Sequence, residues 1–122
     1  MLLDSSVLIA ILNPRDKHHQ VAIDSYSSAD RYQISAISLT EVLPAAIKAG
    51  RASAVRRKLE EIARVVVDLD SEIGNLAAQV RVETGLKTPD AIISATASAT
   101  KAQLWTFDGK LAKAHKGARL LA

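Results

Sequence analysis

The chain of 122 residues is 48% hydrophobic but only 3% aromatic, which indicates one globular domain with an aliphatic core and excludes a disordered chain. It has no cysteine, which excludes disulfides and thiolate metal sites and is typical of a reducing cytosol. No apolar run approaches the ~20 residues that span a bilayer, so we expect a cytoplasmic protein that does not bind a membrane.

Strands and helices alternate along the sequence. Short aliphatic or β-branched runs predict the strands, and apolar residues at helical spacing predict the helices. Asn13-Pro14, Gly50 and Gly85 are stop signals for three of the helices. The predicted strands are residues 2–3, 32–36, 65–69, 103–107 and 118–121. The predicted helices are residues 7–12, 18–27, 38–49, 52–64, 71–84, 88–100 and 110–115, the third of them bent at Pro44.

This order predicts an α/β fold, a three-layer α/β/α arrangement with a central, mostly parallel sheet of four to five strands in a single domain spanning residues 1–122. The carboxyl ends of parallel strands share one edge of the sheet, which is where ligands bind in such folds. Side chains that follow strands are therefore the first candidates for a functional site.

Four isolated acids lie where a strand or a capping residue leads into a helix: Asp4, Glu41, Asp90 and Asp108. We expect Asp4, Glu41 and Asp108 to meet at the carboxyl edge of the sheet. Two helices separate the third and fourth strands, so the topology alone does not decide on which edge Asp90 lies.

Each acid also has a structural interpretation. Glu41 would complete a capping box with Ser38, and Asp90 would be the second residue of a helix capped by Thr88. Asp4 would cap the first helix, and Asp108 would form part of a turn. The joint pattern favours a functional cluster, because few other acids lie at strand ends.

A cluster of carboxylates without His or Cys suits a hard divalent cation such as Mg²⁺ and does not suit zinc. Two carboxylates about 5 Å apart repel by roughly 3 kcal/mol at an effective dielectric constant near 20, so a group of them needs a cation.

The 16 Lys and Arg exceed the 13 Asp and Glu, and several of them are clustered. Such clusters favour a polyanionic partner, although each could also be a solvated helix face with internal ion pairs. The three clusters are residues 15–19; Arg51, Arg56, Arg57, Lys58 and Arg64; and Lys110, Lys113, Lys116 and Arg119.

Four segments surround the four acids: LLDSSVLIA around Asp4, ISLTEVL around Glu41, TPDAIISATA around Asp90 and LWTFDGKLAK around Asp108. In their order and spacing these segments resemble the PIN-domain nucleases, particularly the VapC-type toxins of bacterial toxin–antitoxin pairs.

The sequence departs from the family pattern in two places. Family members usually have an Asn-Asp pair, often with another acid two residues later, where this chain has Phe107-Asp108 and then Lys110. After the first Asp the family commonly has Thr or Ser and then Asn, and this chain has Ser6 in place of that Asn. Because Lys110 stands where the family often has the additional acid, the first departure removes a candidate ligand for a second metal ion.

The resemblance implies a Mg²⁺- or Mn²⁺-dependent endoribonuclease that binds one or two ions and cuts structured RNA such as tRNA. It also implies a cognate antitoxin and a homodimer. All four acids would be catalytic and metal-binding. Asp4 and Asp90 would be direct ligands, Glu41 and Asp108 would act through water or orient the nucleophile, and Ser6 would hydrogen-bond a ligand.

Two alternatives remain open: a catalytically degenerate PIN-like module that binds RNA or protein, and a nuclease directed at DNA. The histidines, His18, His19 and His115, are expected at the surface. The aromatic residues are too few for a platform that reads bases one by one. Phe107, at a strand end, is expected to pack in the core, and the alternative is that it stacks on a base beside the scissile bond.

Overall fold

The computed structural model describes residues 1–121 and contains five strands and seven helices in that range. The strands are β1 (Leu2–Leu3), β2 (Gln33–Ser35), β3 (Val65–Val67), β4 (Leu104–Thr106) and β5 (Arg119–Leu120). The helices are α1 (Ser5–Leu12), α2 (His19–Ser25), α3 (Ala36–Lys48), α4 (Ala52–Ile62), α5 (Ser71–Thr84), α6 (Thr88–Thr100) and α7 (Gly109–Ala114). Every predicted element is present, with ends shifted by one or two residues at most.

All five strands are parallel and form one sheet in the order β3-β2-β1-β4-β5. The central strand β1 pairs with two neighbours, since Leu2 is in register with both Gln33 and Leu104. Helices cover both faces of the sheet. The predicted three-layer α/β/α fold is therefore confirmed, and its sheet is entirely parallel within the described residues.

Alternate residues of the strands pack into two hydrophobic cores on opposite faces of the sheet, as the two-residue period of a strand requires. Leu3 and Trp105 belong to the core that α1, α2, α3 and α4 cover. Leu2 and Leu104 belong to the core that α5, α6 and α7 cover. Because β1 is buried on both faces, the residue that follows it is held by the best-packed part of the molecule.

Helix α6 is buried over seven consecutive residues, 91–97, between the sheet and α5. Its Ala and Ser residues allow this close packing from two sides. Asp90 immediately precedes the buried segment, so its backbone has a fixed position. Within residues 1–121, no helix combines the length and the apolar character needed to cross a bilayer.

Candidate active site

Asp4 and Asp108 follow the adjacent strands β1 and β4 at the carboxyl edge of the sheet. The backbone N–H of Asp4 donates to the Trp105 carbonyl at 3.0 Å, which continues the ladder between the two strands. Asp4 is only 5% exposed. The predicted meeting of these two acids at one edge therefore follows directly from the pairing of their strands.

Two hydroxyl groups hold the buried carboxylate of Asp4. Thr106 Oγ1 donates to Asp4 Oδ2 at 2.8 Å, and Ser6 Oγ donates to the same oxygen at 2.9 Å. Each hydroxyl also accepts a backbone N–H, Thr106 from Asp108 at 2.9 Å and Ser6 from Phe107 at 3.1 Å. Asp4 Oδ1 accepts no hydrogen bond from residues 1–121, so one carboxylate oxygen is oriented and the other is available to a ligand.

Asp108 caps helix α7. Its Oδ1 accepts the backbone N–H of Lys110 at 2.9 Å and of Leu111 at 3.3 Å. The proposed turn at this position is therefore the start of a helix. Since only Oδ1 takes part in the cap, the second oxygen of the Asp108 carboxylate can still bind a ligand.

Glu41 and Asp90 are electrostatically coupled to the other acids. Burial raises the pKa of Asp90, and the charges of Asp4 and Asp108 raise it further, with Lys110 and Lys87 opposing them. Burial also raises the pKa of Glu41, in part offset by the hydroxyl of Ser5, and the charges of Asp4 and Asp90 add to the increase. Helix α6 therefore holds Asp90 near enough to Asp4 and Asp108 for their charges to act on it.

The capping box predicted for Glu41 is wrong. Helix α3 begins two residues earlier than expected, and its N-cap is Ser35, whose Oγ accepts the N–H of Ile37 at 3.2 Å. Ser38 lies inside the helix, and its fully buried Oγ has no hydrogen-bond partner in residues 1–121. Glu41 therefore has no part in capping the helix that carries it.

The cap predicted for α6 is shifted by one residue. Lys87 is the N-cap and makes no side-chain capping bond, which makes Asp90 the third residue of the helix. A carboxylate in the first turn interacts favourably with the helix dipole. Burial of the carboxylate opposes this effect and, together with the charges of Asp4 and Asp108, raises the pKa of Asp90.

Residues 1–117 match the family model described as the PIN domain. The chain belongs to the PIN-domain family. A comparison with curated proteins gives no match.

Solved structures agree with this family. The chain resembles a toxin–antitoxin complex from Klebsiella pneumoniae with a TM-score of 0.82 and 27% identity, over 97% of this chain and 94% of that one. FitAcB from Neisseria gonorrhoeae has a TM-score of 0.74 and 24% identity, over 96% and 94% of the two chains. VapC20 from Mycobacterium tuberculosis, described as a sarcin–ricin loop cleaving toxin, has a TM-score of 0.74 and 18% identity, over 98% and 96%.

The acids of this PIN domain do not form a closed metal cage. Within residues 1–121 no three His, Cys, Asp or Glu side chains are close enough together to hold a metal ion. Mg²⁺ is usually held by one or two carboxylates and several waters, so the all-oxygen donor set and the free Oδ1 of Asp4 fit such an ion.

The histidines are less exposed than expected. His19 Nδ1 lies 2.6 Å from the Ala10 carbonyl oxygen, and His115 Nδ1 lies 2.7 Å from Ser94 Oγ. Burial lowers the pKa of His115. All three histidines are half-buried, so each reaches the surface and is also packed against its neighbours.

Sequence reasoning also missed Thr106, which bonds to both Asp4 and the backbone of Asp108. The only signal for it was a small polar residue at the end of a buried strand, two positions before an acid. The hydrogen bond predicted from Ser6 to a candidate metal ligand is present.

Proposed function

We propose that this PIN domain is a divalent-metal-dependent endoribonuclease and the toxin of a toxin–antitoxin pair, with structured RNA such as tRNA as its substrate. The observation that carries the proposal is that Asp4 and Asp108 follow neighbouring strands at one sheet edge and that their charges, with those of Glu41 and Asp90, act on one another. Asp4 is oriented there by two hydroxyls, and its charge raises the pKa of Glu41 and of Asp90.

Asp4, through its free Oδ1, and Asp90 would hold Mg²⁺ or Mn²⁺ directly, as one ion or the first of two. Glu41 and Asp108 would contact it through water. Bound there, the ion would lower the pKa of a coordinated water and polarise the scissile phosphate.

The remaining work falls to the protein side chains. Thr106 and Ser6 keep the Asp4 carboxylate in one orientation, which preserves the geometry that in-line attack on a phosphate requires. Glu41 would orient the attacking water, because its carboxyl end is close enough to Asp4 and Asp90 to feel both charges.

Two cations lie at the margin of the acidic cluster. The pKa of Asp90 is raised, and the charges of Lys110 and Lys87 oppose this rise, so both lysines act on this carboxylate. Lysines at this position would contact the phosphates on either side of the cleaved bond and would reduce the repulsion between the acids and the RNA backbone.

The partner assignments rest on the structural neighbours. The Klebsiella protein is described as part of a toxin–antitoxin complex, and VapC20 is described as a toxin that cleaves the sarcin–ricin loop. By analogy, a cognate antitoxin would bind this chain. The family resemblance further implies that the antitoxin covers the acidic edge and that the chain forms a homodimer.

A cleavage assay with two matched variants tests the nuclease assignment. Wild type, Asp90→Asn and Asp68→Asn are incubated with labelled tRNA, and separately with DNA, in Mg²⁺, Mn²⁺ or EDTA. Asp68 follows β3 on the same sheet but contributes to the pKa of neither Glu41 nor Asp90, so it controls for the loss of one acid.

The proposal expects wild type and Asp68→Asn to cut RNA only with divalent metal, and Asp90→Asn to be inactive. Cleavage that persists in EDTA or in Asp90→Asn would contradict the proposal. A preference for DNA over tRNA would show that the substrate is DNA and not RNA.

A second candidate is a PIN module that has lost activity and binds RNA or protein. The absence of a three-ligand cluster in residues 1–121 favours it, as does Lys110 at the position where the family often has an acid. It predicts RNA binding without cleavage and no change in melting temperature on adding Mg²⁺.

A further inference from the structure

His18 and Phe107 form a stacked pair of rings next to the acidic edge. Their ring centroids are 4.3 Å apart and their planes differ by 9°. Phe107 lies between β4 and Asp108, and His18 precedes the first residue of α2. Both side chains are half-buried, so the pair is part of the surface as well as of the packing.

The stacked pair is attached to the site through Phe107. The backbone N–H of Phe107 donates to Ser6 Oγ at 3.1 Å, and the same hydroxyl donates to Asp4 Oδ2 at 2.9 Å. Asp108 is the next residue in the chain. A group that contacts the pair is therefore adjacent to the carboxylates.

The loop that carries His18 is held in place by local hydrogen bonds. Asn13 Oδ1 accepts the N–H of Arg15 at 3.0 Å, and Asp16 Oδ1 accepts the N–H of His18 at 2.8 Å. His19 fixes the far side of the loop through its contact with the Ala10 carbonyl. The His18 ring is therefore preorganised, and its nitrogens make no hydrogen bond with any residue from 1 to 121.

We propose that the His18–Phe107 pair is a platform on which one unpaired nucleobase of the RNA stacks, beside the phosphate that is cut. This inference rests on the proposed nuclease function and narrows its substrate to RNA in which the cleaved position lies in a loop or bulge. A base inside a duplex is already stacked on its neighbours and cannot lie on a protein ring. Arg15 and Lys17, exposed in the same loop, would contact the adjoining phosphates.

A single platform also agrees with the scarcity of aromatic residues. Stacking tolerates every base, because each has a π-face, so the platform would place the RNA and would not select a sequence. The free edge nitrogens of His18 can add a hydrogen bond to a base, which would give a modest preference at that position.

The competing explanation is that the two rings only pack together. The pair Tyr26 and Tyr32 provides a matched control, because its centroids are 4.7 Å apart and its planes differ by 24°. Tyr32 precedes β2, which places this pair at the amino edge of the sheet, away from the acids. A purely structural role predicts similar behaviour for both pairs.

The test uses a hairpin RNA with an unpaired loop, whose cut site is mapped with wild type, and the same hairpin with an abasic nucleotide beside the cut. His18→Ala, His18→Gln, Phe107→Leu and the control Tyr26→Leu are compared on both RNAs by kcat/KM. RNA affinity is measured by fluorescence anisotropy. Each substitution is combined with Asp90→Asn, and the hairpin RNA carries an abasic nucleotide at one loop position after another.

Base–aromatic stacking predicts a loss of about 5- to 150-fold on the intact hairpin for the His18 and Phe107 variants, and almost none on the abasic hairpin. Tyr26→Leu should behave alike on both RNAs. Equal losses on the two hairpins, or no loss for either His18 variant, would overturn the platform. If the wild-type protein cuts no RNA, the nuclease assignment is refuted. The difference in anisotropy between the intact and abasic hairpins would still show whether a base stacks on the His18–Phe107 pair.

Discussion

Replacing Thr106 with valine removes the hydroxyl that joins Asp4 to Asp108 while almost preserving the shape of the side chain. Thr106 is fully buried, and its Oγ1 makes bonds of 2.8 Å to Asp4 Oδ2 and 2.9 Å to the N–H of Asp108. A hydrogen bond to a charged group contributes about 1.5–3 kcal/mol, and a backbone N–H left without a partner costs about 1–3 kcal/mol. Since Asp108 is only half-buried, water can compensate in part, and we expect a net destabilisation of about 2–4 kcal/mol.

Thr106→Ser is the control for this change. It keeps both hydrogen bonds and removes one methyl group, at a cost of about 1 kcal/mol. Urea unfolding of both variants without divalent metal gives the two free energies of unfolding, and an unchanged dependence on urea would show that the folded and unfolded states remain comparable.

A double-mutant cycle with Asp4→Asn tests whether the effect runs through the charge of Asp4. The cost of Thr106→Val should fall by at least about 1 kcal/mol when Asp4 is neutral, because the bond is then no longer charge-assisted. In the metal-loaded protein, loss of this orienting hydroxyl should reduce activity roughly 10- to 100-fold. The reasoning would be refuted if the Thr106→Val variant were as stable as the Thr106→Ser variant. It would also be refuted if Thr106→Val lowered the free energy of unfolding equally in wild type and in Asp4→Asn.

Three further predictions concern charge. Millimolar Mg²⁺ or Mn²⁺ should raise the melting temperature of wild type, and Asp4→Asn should remove most of the rise; an unchanged wild type in a thermal-shift assay would speak against a metal site. Without metal at pH 7, Asp90→Asn should stabilise the protein by less than about 1 kcal/mol, because a raised pKa means that the folded state disfavours the charged carboxylate and solvent screens this partly exposed group. Urea unfolding checks this, with a destabilised variant as the contrary result. Folding lowers the pKa of His115 from its ordinary value of 6.5, so the folded state disfavours the protonated ring. The protein is therefore not destabilised by this group above pH 6.5 and loses stability as the pH falls through the pKa of the unfolded state and then that of the folded state. His115→Gln should therefore lose less stability than wild type between pH 7 and 5 in unfolding experiments, and parallel pH profiles would contradict this assignment.

The secondary structure was predictable because its signals are local. The β-branched run at Val65–Val67 and the glycine after α5 define element ends within a few residues of sequence. Gly85 adopts a left-handed conformation with φ of 73°, as a residue that ends a helix commonly does. The start of α3 was misplaced because Ser35 and Ser38 are both acceptable caps, and the choice depends on where β2 ends.

The composition of the candidate site was also predictable in part. Acids that follow strands could be assigned to one edge of a parallel sheet, which holds for Asp4 and Asp108. Asp90 could not be assigned in this way, because its edge depends on how α5 and α6 pack against the sheet. Its electrostatic coupling to Asp4 and Asp108 is a consequence of that packing.

The sequence by itself determined the order of the elements, the four acids and the resemblance to a family, because each is recorded in short stretches of neighbouring residues. Only the tertiary structure decided the strand order β3-β2-β1-β4-β5, the role of Thr106, and the stacking of His18 on Phe107. Asp4 and Thr106 are separated by 102 positions in the chain. No local pattern specifies such a contact, since it forms only when β1 and β4 become neighbours in the sheet.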